Sequence, residues 1–230
     1  MTRRSVLPEG FLVEGELALP EELAHYVRRV LRLRPDEELD LSDGAGQQAR
    51  GMILAEGRVR IEKVETAEEP PGPHLTLIQG IAKGDKMDSV IRQATELGVR
   101  KIQPVICERS VALQQNRVAR WKTIAEDALR VSGRFYRPRI EPVIPLSDLW
   151  DRPRAQTAFC LALNAETGLP SNVKDAEILI GPEGGLTTDE IAQAQKSGFT
   201  SVHLGEHTLR TETAGPAVLS ILMYGSGGFG

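Results

Sequence analysis

Cysteine is scarce in this chain, and its scarcity excludes several classes of protein. The 230 residues include two cysteines, Cys107 and Cys160. Each lies inside a short apolar run, and neither belongs to a CxxC pair or has a histidine beside it. A disulfide scaffold, a zinc finger and a dithiol redox centre all require more cysteines or closer spacing. We therefore expect both side chains to be buried thiols in a protein of a reducing compartment.

Long hydrophobic runs are absent as well. No stretch approaches the about 18 consecutive apolar residues that a membrane-spanning helix requires. The first residues, MTRRSVLPEGF, lack the apolar segment of a secretory signal. With 40% hydrophobic residues, the chain can still bury a substantial core. These features predict a soluble, cytoplasmic protein of one or two domains, and the patterns described below favour two.

Motifs of the common metal and nucleotide sites are missing too. The four histidines, His25, His74, His203 and His207, form no HExxH motif, and Gly205 interrupts the spacing between the last two. We therefore predict no metal site. The sequence also lacks GxxxxGK[ST], a GxGxxG motif after the first strand of its α/β region, and GxSxG. Their absence excludes the usual NTPase, dehydrogenase and hydrolase classes.

The order of strand and helix signals predicts two domains. Residues 1–71 alternate short apolar segments with turn signals such as SDGAGQ, a pattern typical of a small β-barrel. Residues 66–73 read TAEEPPGP, which is acidic, rich in proline and typical of a linker. Over residues 72–230, strand and helix signals alternate. This alternation indicates an α/β domain with a mostly parallel sheet.

One helix interrupts the predicted barrel. It is expected within the segment PEELAHYVRRVLRLRP and should end before Pro35. Its apolar residues recur at helical spacing, so that they share one face directed at the core. These residues are Leu23, Val27, Val30 and Leu31.

Two glycine-bearing loops organise the second half of the chain. GPEGG at 181–185 follows the apolar run AEILI, and LGEHTLRTETAG at 204–215 follows TSVH. Glycines at strand ends let backbone groups approach a ligand, and ligands of parallel sheets bind beyond the carboxyl ends of the strands. One shared pocket is therefore predicted, although GPEGG alone is also compatible with a plain turn. Pro216 is well suited to open the apolar terminal helix, which should be buried in a core or a subunit interface.

Basic residues are clustered although the net charge is −4. Residues 109–139 carry eight basic side chains against two acidic ones, and residues 25–34 contain four arginines and no acid. Such patches are the electrostatic footprint of contacts with nucleic-acid phosphates, although a solvated helix face gives the same pattern. The arginines that we expect to contact an RNA backbone are Arg28, Arg29, Arg32, Arg120 and Arg134.

Three motifs carry a resemblance to a known family: KGDKMDSVIRQATELGV, IGPEGGLTTDE and LGEHTLRTETA. They resemble the ribosomal RNA small subunit methyltransferase E family of the SPOUT, or trefoil-knotted, methyltransferases. The resemblance extends from HYVRRVLRLRPDEEL to the terminal helix. It implies an enzyme dependent on S-adenosyl-L-methionine (SAM) that methylates N3 of a uridine in 16S ribosomal RNA. It also implies a homodimer with an N-terminal PUA-like barrel and a knotted C-terminal domain.

The resemblance further implies which residues hold the cofactor, several of them through backbone groups. They are Leu163, Ile180, Gly181, Glu183, Gly185, Leu204, Gly205, Leu209 and Ala214. For the reaction, we expect Arg210 to stabilise charge that develops on the base, because a guanidinium group keeps its proton at all relevant pH values. Glu212 should orient Arg210 or accept the proton. A structural ion pair of Arg210 with Glu212 or Glu183 is the alternative.

Two other functions remain open at this point. A SPOUT enzyme that methylates a ribose 2′-hydroxyl would share the fold, and a non-catalytic RNA-binding protein would use the same loops as structural elements. KGDKMDSVIRQATELGV and TLRTETA together resemble the base-methylating family rather than the ribose-methylating group. Base methylation is therefore the function that the sequence favours.

Overall fold

The structure is a computed structural model that describes residues 3–111, 117–155 and 157–229. These residues form two compact units. The N-terminal unit contains residues 3–69 and Glu126–Arg137, and the C-terminal unit contains the described residues of 70–125 and 138–229. None of the helices in the described ranges is both long enough and apolar enough to span a membrane.

The N-terminal unit is built on a small sheet. Its strands are β1 (Arg4–Val6), β2 (Gly15–Ala18), β3 (Glu38–Ser42), β4 (Gln47–Ile53) and β5 (Arg58–Thr66). Their order across the sheet is β1-β3-β4-β5-β2, with β1 parallel to β3 and the other neighbours antiparallel. Within the described residues, β1 and β2 are therefore the edge strands. The small β unit predicted for the start of the chain is confirmed.

Helix α1 (Glu21–Arg29) packs on this sheet but ends earlier than predicted. Val30, expected on the buried face, is 61% exposed. The reason is the conformation of Arg32, whose φ of 54° turns the chain back after the last helical turn. The Leu33 N–H then donates to the Val27 C=O over 3.1 Å, which folds the chain back onto the last turn of the helix. Leu33 is consequently buried in the core and Val30 is not.

Residues Glu126–Arg137 complete the N-terminal unit although they come from the second half of the chain. The Gly46 N–H donates to the Phe135 C=O over 3.0 Å. The Tyr136 hydroxyl donates to the Ala67 C=O over 3.0 Å. Gly46 directly precedes β4, and Ala67 directly follows β5. Residues 126–137 therefore bond to both ends of this pair of strands and are an integral part of the unit.

The C-terminal unit is an α/β structure in which every strand pairing among the described residues is parallel. The strands are β6 (His74–Gly80), β7 (Lys101–Ile106), β8 (Arg139–Ile140), β9 (Ile144–Pro145), β10 (Ala158–Leu161), β11 (Thr167–Gly168), β12 (Asp175–Ile180) and β13 (Thr200–His203). The helices are α2 (Lys86–Glu96), α3 (Arg117–Ser132), α4 (Thr188–Lys196) and α5 (Thr211–Gly225). The strand order is β11-β13-β10-β12-β6-β7-β8, and β9 also pairs with β7. The predicted α/β class with a mostly parallel sheet is confirmed.

Both faces of this sheet are covered, because successive strand residues point in opposite directions. Leu77 and Ile178 contribute to a core shared with α2, α3 and α5. Ile78 and Leu179, their sequence neighbours, contribute to the opposite core with α4. The carboxyl ends of β13, β10, β12 and β6 lie side by side, which is where ligands of parallel sheets bind.

Helix α5 begins five residues before the position that the sequence indicated. It starts at Thr211, and Pro216 lies inside it. The Arg210 C=O accepts the N–H groups of Thr213 and Ala214 over 2.9 and 2.8 Å, so the first turn forms without help from the proline. The prediction was wrong because a proline in the second turn removes only its own bond to the C=O four residues earlier, and here it does so without ending the helix. Arg210 therefore stands directly at the beginning of α5.

Candidate functional site

The two glycine-bearing loops enclose one cavity of about 380 Å³, a volume typical of small-molecule sites. The first loop, residues 181–187, follows β12, and the second loop, residues 204–210, follows β13. Residues 161–163 at the end of β10 form a third wall. The structure brings all of the predicted cofactor-binding residues to this cavity: Leu163, Ile180, Gly181, Glu183, Gly185, Leu204, Gly205, Leu209 and Ala214. Their role in binding stays a prediction.

The first loop folds tightly on its own backbone. The Gly185 N–H donates to the Pro182 C=O over 2.9 Å, and Gly185 has a φ of 69°, which favours glycine. A Cβ atom on Gly181 would lie 2.7 Å from the Leu186 nitrogen. A Cβ atom on Gly80, at the end of β6, would lie 2.7 Å from the Pro182 nitrogen. The close approach of these backbone segments requires glycine at both positions.

A buried polar network joins the first loop to the start of α5. Gln79 is fully buried, and its Nε2 donates to the Thr211 Oγ1 over 2.9 Å and to the Gly80 C=O over 3.1 Å. The Thr211 hydroxyl in turn donates to the Gly181 C=O over 2.7 Å. Buried hydrogen bonds of this kind fix the groups that they join, although Gln79 Oε1 itself accepts no hydrogen bond from a described residue. The backbone of Gly181 and the residue that follows Arg210 are thus held by the same side chain.

One ammonium group and two carboxylates face each other beside the cavity. Lys86 Nζ lies 3.0 Å from Glu183 Oε1 and 3.9 Å from Glu212 Oε2. Glu183 Oε1 also accepts the Lys83 N–H over 2.8 Å. Partial burial alone would raise the pKa of Glu183, but hydrogen bonds from Lys86 and from backbone N–H groups outweigh it and hold the pKa below its usual value. Glu183 is therefore negatively charged at neutral pH.

Arg210 lines the cavity with an exposed side chain and forms no ion pair within the described part of the chain. The alternative of a structural pair of Arg210 with Glu212 or Glu183 is not observed among the described residues, and both carboxylates lie near Lys86 instead. For the same reason Glu212 does not orient Arg210 in this structure. Glu212 does not line the cavity, and its buried Oε2 accepts no hydrogen bond from any described residue.

Comparisons with known proteins agree with this geometry. A model of the RNA methyltransferase domain matches residues 68–223, and a model of the RNA methyltransferase PUA domain matches residues 19–65. A relative from Aquifex aeolicus, named ribosomal RNA small subunit methyltransferase E, is 34% identical over 88% of this chain and 91% of its own length. The chain belongs to the ribosomal RNA small subunit methyltransferase E family.

Other members show the same extent of similarity. The family member from Synechocystis is 30% identical over 96% of this chain and 77% of its own length. The crystal structure of ribosomal RNA small subunit methyltransferase E from Neisseria gonorrhoeae, bound to S-adenosyl methionine, superposes with a TM-score of 0.89 at 34% identity. That match covers 97% of this chain and 98% of the other. The similarity therefore includes both units.

Three residues that surround the cavity of this protein were not predicted from the sequence. They are Gln79, Lys86 and Thr211. Lys86 belongs to the motif KGDKMDS, so that the motif itself was a usable signal. Gln79 and Thr211 are polar residues without a motif of their own, and only the folded chain places them together.

The arginines expected to contact RNA fall into different environments. Arg120 donates through Nε and Nη2 to Asp88 Oδ2, over 2.8 and 2.6 Å. The Asp88 side chain is only 5% exposed, and a buried carboxylate requires such a partner. The Arg120 side chain is itself 60% exposed, and its contact with RNA stays a prediction. Arg134 belongs to the N-terminal unit and lines a cavity there. The remaining arginines are exposed on the N-terminal unit: Arg28, Arg29 and Arg32.

Both cysteines are buried, as the sequence predicted. Burial, with a further contribution from the charge of Glu190, raises the pKa of each thiol to about 12. Cys107 and Cys160 are therefore protonated and unreactive at neutral pH. Across residues 3–111, 117–155 and 157–229, no cluster of histidine, cysteine and acidic side chains is suited to hold a metal ion.

Proposed function

We propose that this protein is a SAM-dependent methyltransferase that methylates N3 of a uridine in 16S ribosomal RNA in the cytoplasm. The observation that carries the proposal is the cavity in which two glycine-bearing loops bring backbone groups, apolar side chains and Arg210 together. Two facts support it. The relatives are named ribosomal RNA small subunit methyltransferases, and the similar Neisseria structure is bound to S-adenosyl methionine.

The groups that line the cavity fit SAM. Ile180 and Leu204 offer apolar surface for an adenine ring, and Gly181 and Gly205 let the ring approach the backbone of both loops closely. The charged Glu183 favours the cationic groups of the same ligand. When bound, SAM supplies an activated methyl group.

The remaining task of the protein is to position the uracil ring and to favour the anionic form of N3. Arg210 is suited to donate hydrogen bonds to a uracil oxygen, because no described carboxylate neutralises its charge. The acceptance of the N3 proton by Glu212 stays a prediction that this geometry does not support, because its buried Oε2 does not line the cavity. Lys86 holds Glu212 and Glu183 in place.

Calorimetry combined with nucleoside analysis tests this function. The protein is titrated with SAM and is then incubated with unmethylated 16S ribosomal RNA, both free and in assembled small subunits. We expect stoichiometric SAM binding and N3-methyluridine in the digested RNA. A 2′-O-methylated nucleotide would instead show a ribose methyltransferase. RNA binding without any methylated product would show a non-catalytic binding protein.

The exposed arginines of the N-terminal unit give a prediction about RNA affinity. Removing Arg29 and Arg32 together should weaken binding to all RNA sequences alike, because phosphate contacts carry no sequence information. Each lost contact should lower the slope of log affinity against log salt by up to about 0.9. Filter binding at several salt concentrations measures this slope. A matched control removes Arg92 and Lys196, which are exposed on α2 and α4. Equal slopes in the two double variants would assign Arg29 and Arg32 to an ordinary solvated surface.

The protein is also proposed to act as a homodimer. Helix α5 is almost wholly apolar, yet Ile221 is 40% exposed and Tyr224 is 79% exposed on it. Burying these side chains against a second copy would remove the cost of leaving them in water. Sedimentation at micromolar concentration should show about twice the chain mass of 25.2 kDa. The double variant Ile221→Asp, Tyr224→Asp should sediment as a monomer. A wild-type protein that is monomeric would contradict the proposal.

A further inference from the structure

A second cavity, of about 440 Å³, lies entirely within the N-terminal unit. Strands β1, β3, β4 and β5 form one wall, and residues 129–135 form the other. None of these later residues, and none of β1, falls within the region that matches the PUA domain model, which covers residues 19–65. The cavity therefore combines two parts of the chain that no sequence pattern joined.

The lining of this cavity is predominantly cationic. Its five basic residues face three acidic ones, Asp40, Glu62 and Glu65. Among the described residues, Arg4 pairs with Asp40 only, over 4.0 Å, which leaves much of its charge uncompensated. The Arg4 guanidinium occupies the space next to Gly133 that any side chain at that position would need. The basic residues are Arg4, Arg50, Lys63, Arg130 and Arg134.

Strand β1 adds backbone groups to the same wall. Arg3 and Leu7 exchange backbone hydrogen bonds with β3, so the alternation along the strand turns the backbone groups of Arg4 and Val6 away from β3. Because β1 is an edge strand among the described residues, these groups meet no other strand. They are available to a ligand together with the arginine side chains.

The opposite wall supplies apolar surface. Leu129 and Phe135 line the cavity, and the Phe135 side chain is partly exposed. An aromatic ring beside guanidinium groups is the combination with which proteins hold single-stranded nucleic acid, because the base stacks on the ring while the phosphate is neutralised. The Arg50 and Lys63 side chains are 68% and 73% exposed at the rim, where Arg50 also contacts Glu38 and Asp40 and Lys63 contacts Glu65.

We propose that this cavity binds one unstacked nucleotide of single-stranded RNA. Its phosphate contacts Arg4 and Arg134, its base stacks on Phe135, and the neighbouring phosphates lie near Arg50 and Lys63. The proposal rests on the proposed function, since RNA is the substrate of that enzyme. A free nucleoside monophosphate has the same phosphate and ring, and its binding is one of the outcomes that the test below distinguishes.

Three single variants and a cross-link test the proposal. The probe is a single-stranded oligonucleotide of ribosomal RNA sequence that contains 5-bromouridine, added to the full chain. Arg4→Ala should weaken binding about tenfold and lower the salt slope by about 0.7, the value for one contact with a single strand. Phe135→Ala should weaken binding about tenfold without changing the slope, because stacking releases no counterions. Phe135→Tyr keeps the aromatic ring and should bind RNA with the affinity of the wild type. Irradiation should cross-link the RNA to residues 129–135.

The control variant is Arg92→Ala, which removes an exposed charge from α2. If Phe135→Ala is unfolded by circular dichroism, Phe135→Leu keeps the apolar volume and removes only the aromatic ring. Unchanged RNA affinity in the arginine and phenylalanine variants overturns the proposal. So does tight, Arg4-dependent binding of uridine 5′-monophosphate together with normal RNA affinity, which would assign the cavity to a free nucleotide. Binding and cross-linking need no methyl transfer, so a missing methylated product contradicts the proposed function alone.

Discussion

Replacing Arg210 by alanine should lower the methylation rate about 10²- to 10³-fold while SAM affinity stays close to that of the wild type. The expected loss corresponds to roughly 3–4 kcal/mol of transition-state stabilisation, the effect of removing one donor from a developing anion. Cofactor affinity is preserved because the loops offer mainly backbone groups and apolar side chains to the cofactor. Single-turnover methylation and calorimetry measure the two quantities separately.

Two further variants make the Arg210 experiment specific. Arg210→Lys keeps a positive charge but loses the planar pair of donors, so its rate should fall between those of the wild type and the alanine variant. Glu206→Gln changes an exposed side chain of the second loop that does not line the cavity, and it should methylate normally. A normal rate for Arg210→Ala, or loss of SAM binding in that variant, would contradict the assigned role.

Gly181→Val should have the opposite effect and abolish SAM binding. A side chain at this position would meet the Leu186 nitrogen and the Gly185 carbonyl carbon, at 2.7 and 2.9 Å from its Cβ atom. Both contacts are with backbone, so they cannot be relieved by a rotamer change, and the first loop must open. Its backbone groups then no longer face the cavity. Calorimetric titration with SAM measures the loss.

Gly168→Val is the matched control for this variant. Gly168 lies on β11 in the same unit, and the atoms nearest to a Cβ atom at this position would be those of His203, at 3.9 Å. That is an ordinary van der Waals contact, so the larger residue fits. Circular dichroism should show both valine variants folded. If folded Gly181→Val still binds SAM, the first loop does not bind the cofactor in the way proposed.

The fold class was predictable because the strands of a parallel sheet are buried on both faces and read as continuous apolar runs, as residues 178–180 do. The ends of two helices were not. Helix α1 is closed by the left-handed conformation of Arg32, a residue type that gives no such signal. At α5, the sequence shows the proline, which suggests a helix start at residue 216. It does not show that the Arg210 C=O already accepts the first hydrogen bonds of the helix.

The candidate site was predictable where it consists of residues next to strand ends. It was not predictable where it depends on partners that are distant in the sequence. Gln79 and Thr211 are 132 positions apart, and their hydrogen bond exists only in the folded chain. The ion pair of Arg120 with Asp88 was not predicted, because a sequence displays a charge without its partner and Asp88 is 32 positions away. The same limit hid the contacts of Lys86 with two carboxylates.

The domain boundary near residue 72 stays a prediction. In the structure, the N-terminal unit also includes residues from the second half of the chain. Helix α3 begins in the C-terminal unit, and its last turns belong to the N-terminal unit with the residues that follow. A fragment that ends at residue 71 would lack the partners of Gly46 and Ala67. It would also lack one wall of the cationic cavity.

This discontinuity sets an order of events during synthesis. Translation adds roughly 5–20 residues per second, so Glu126–Arg137 leaves the ribosome several seconds after the strands on which it packs. Until then the nascent chain carries an incomplete N-terminal unit, with β1 exposed and Phe135 not yet made. A protein that acts on ribosomal RNA is produced beside a large excess of it. The late arrival of the second wall means that the cavity proposed to bind RNA is completed only after the chain has passed its midpoint.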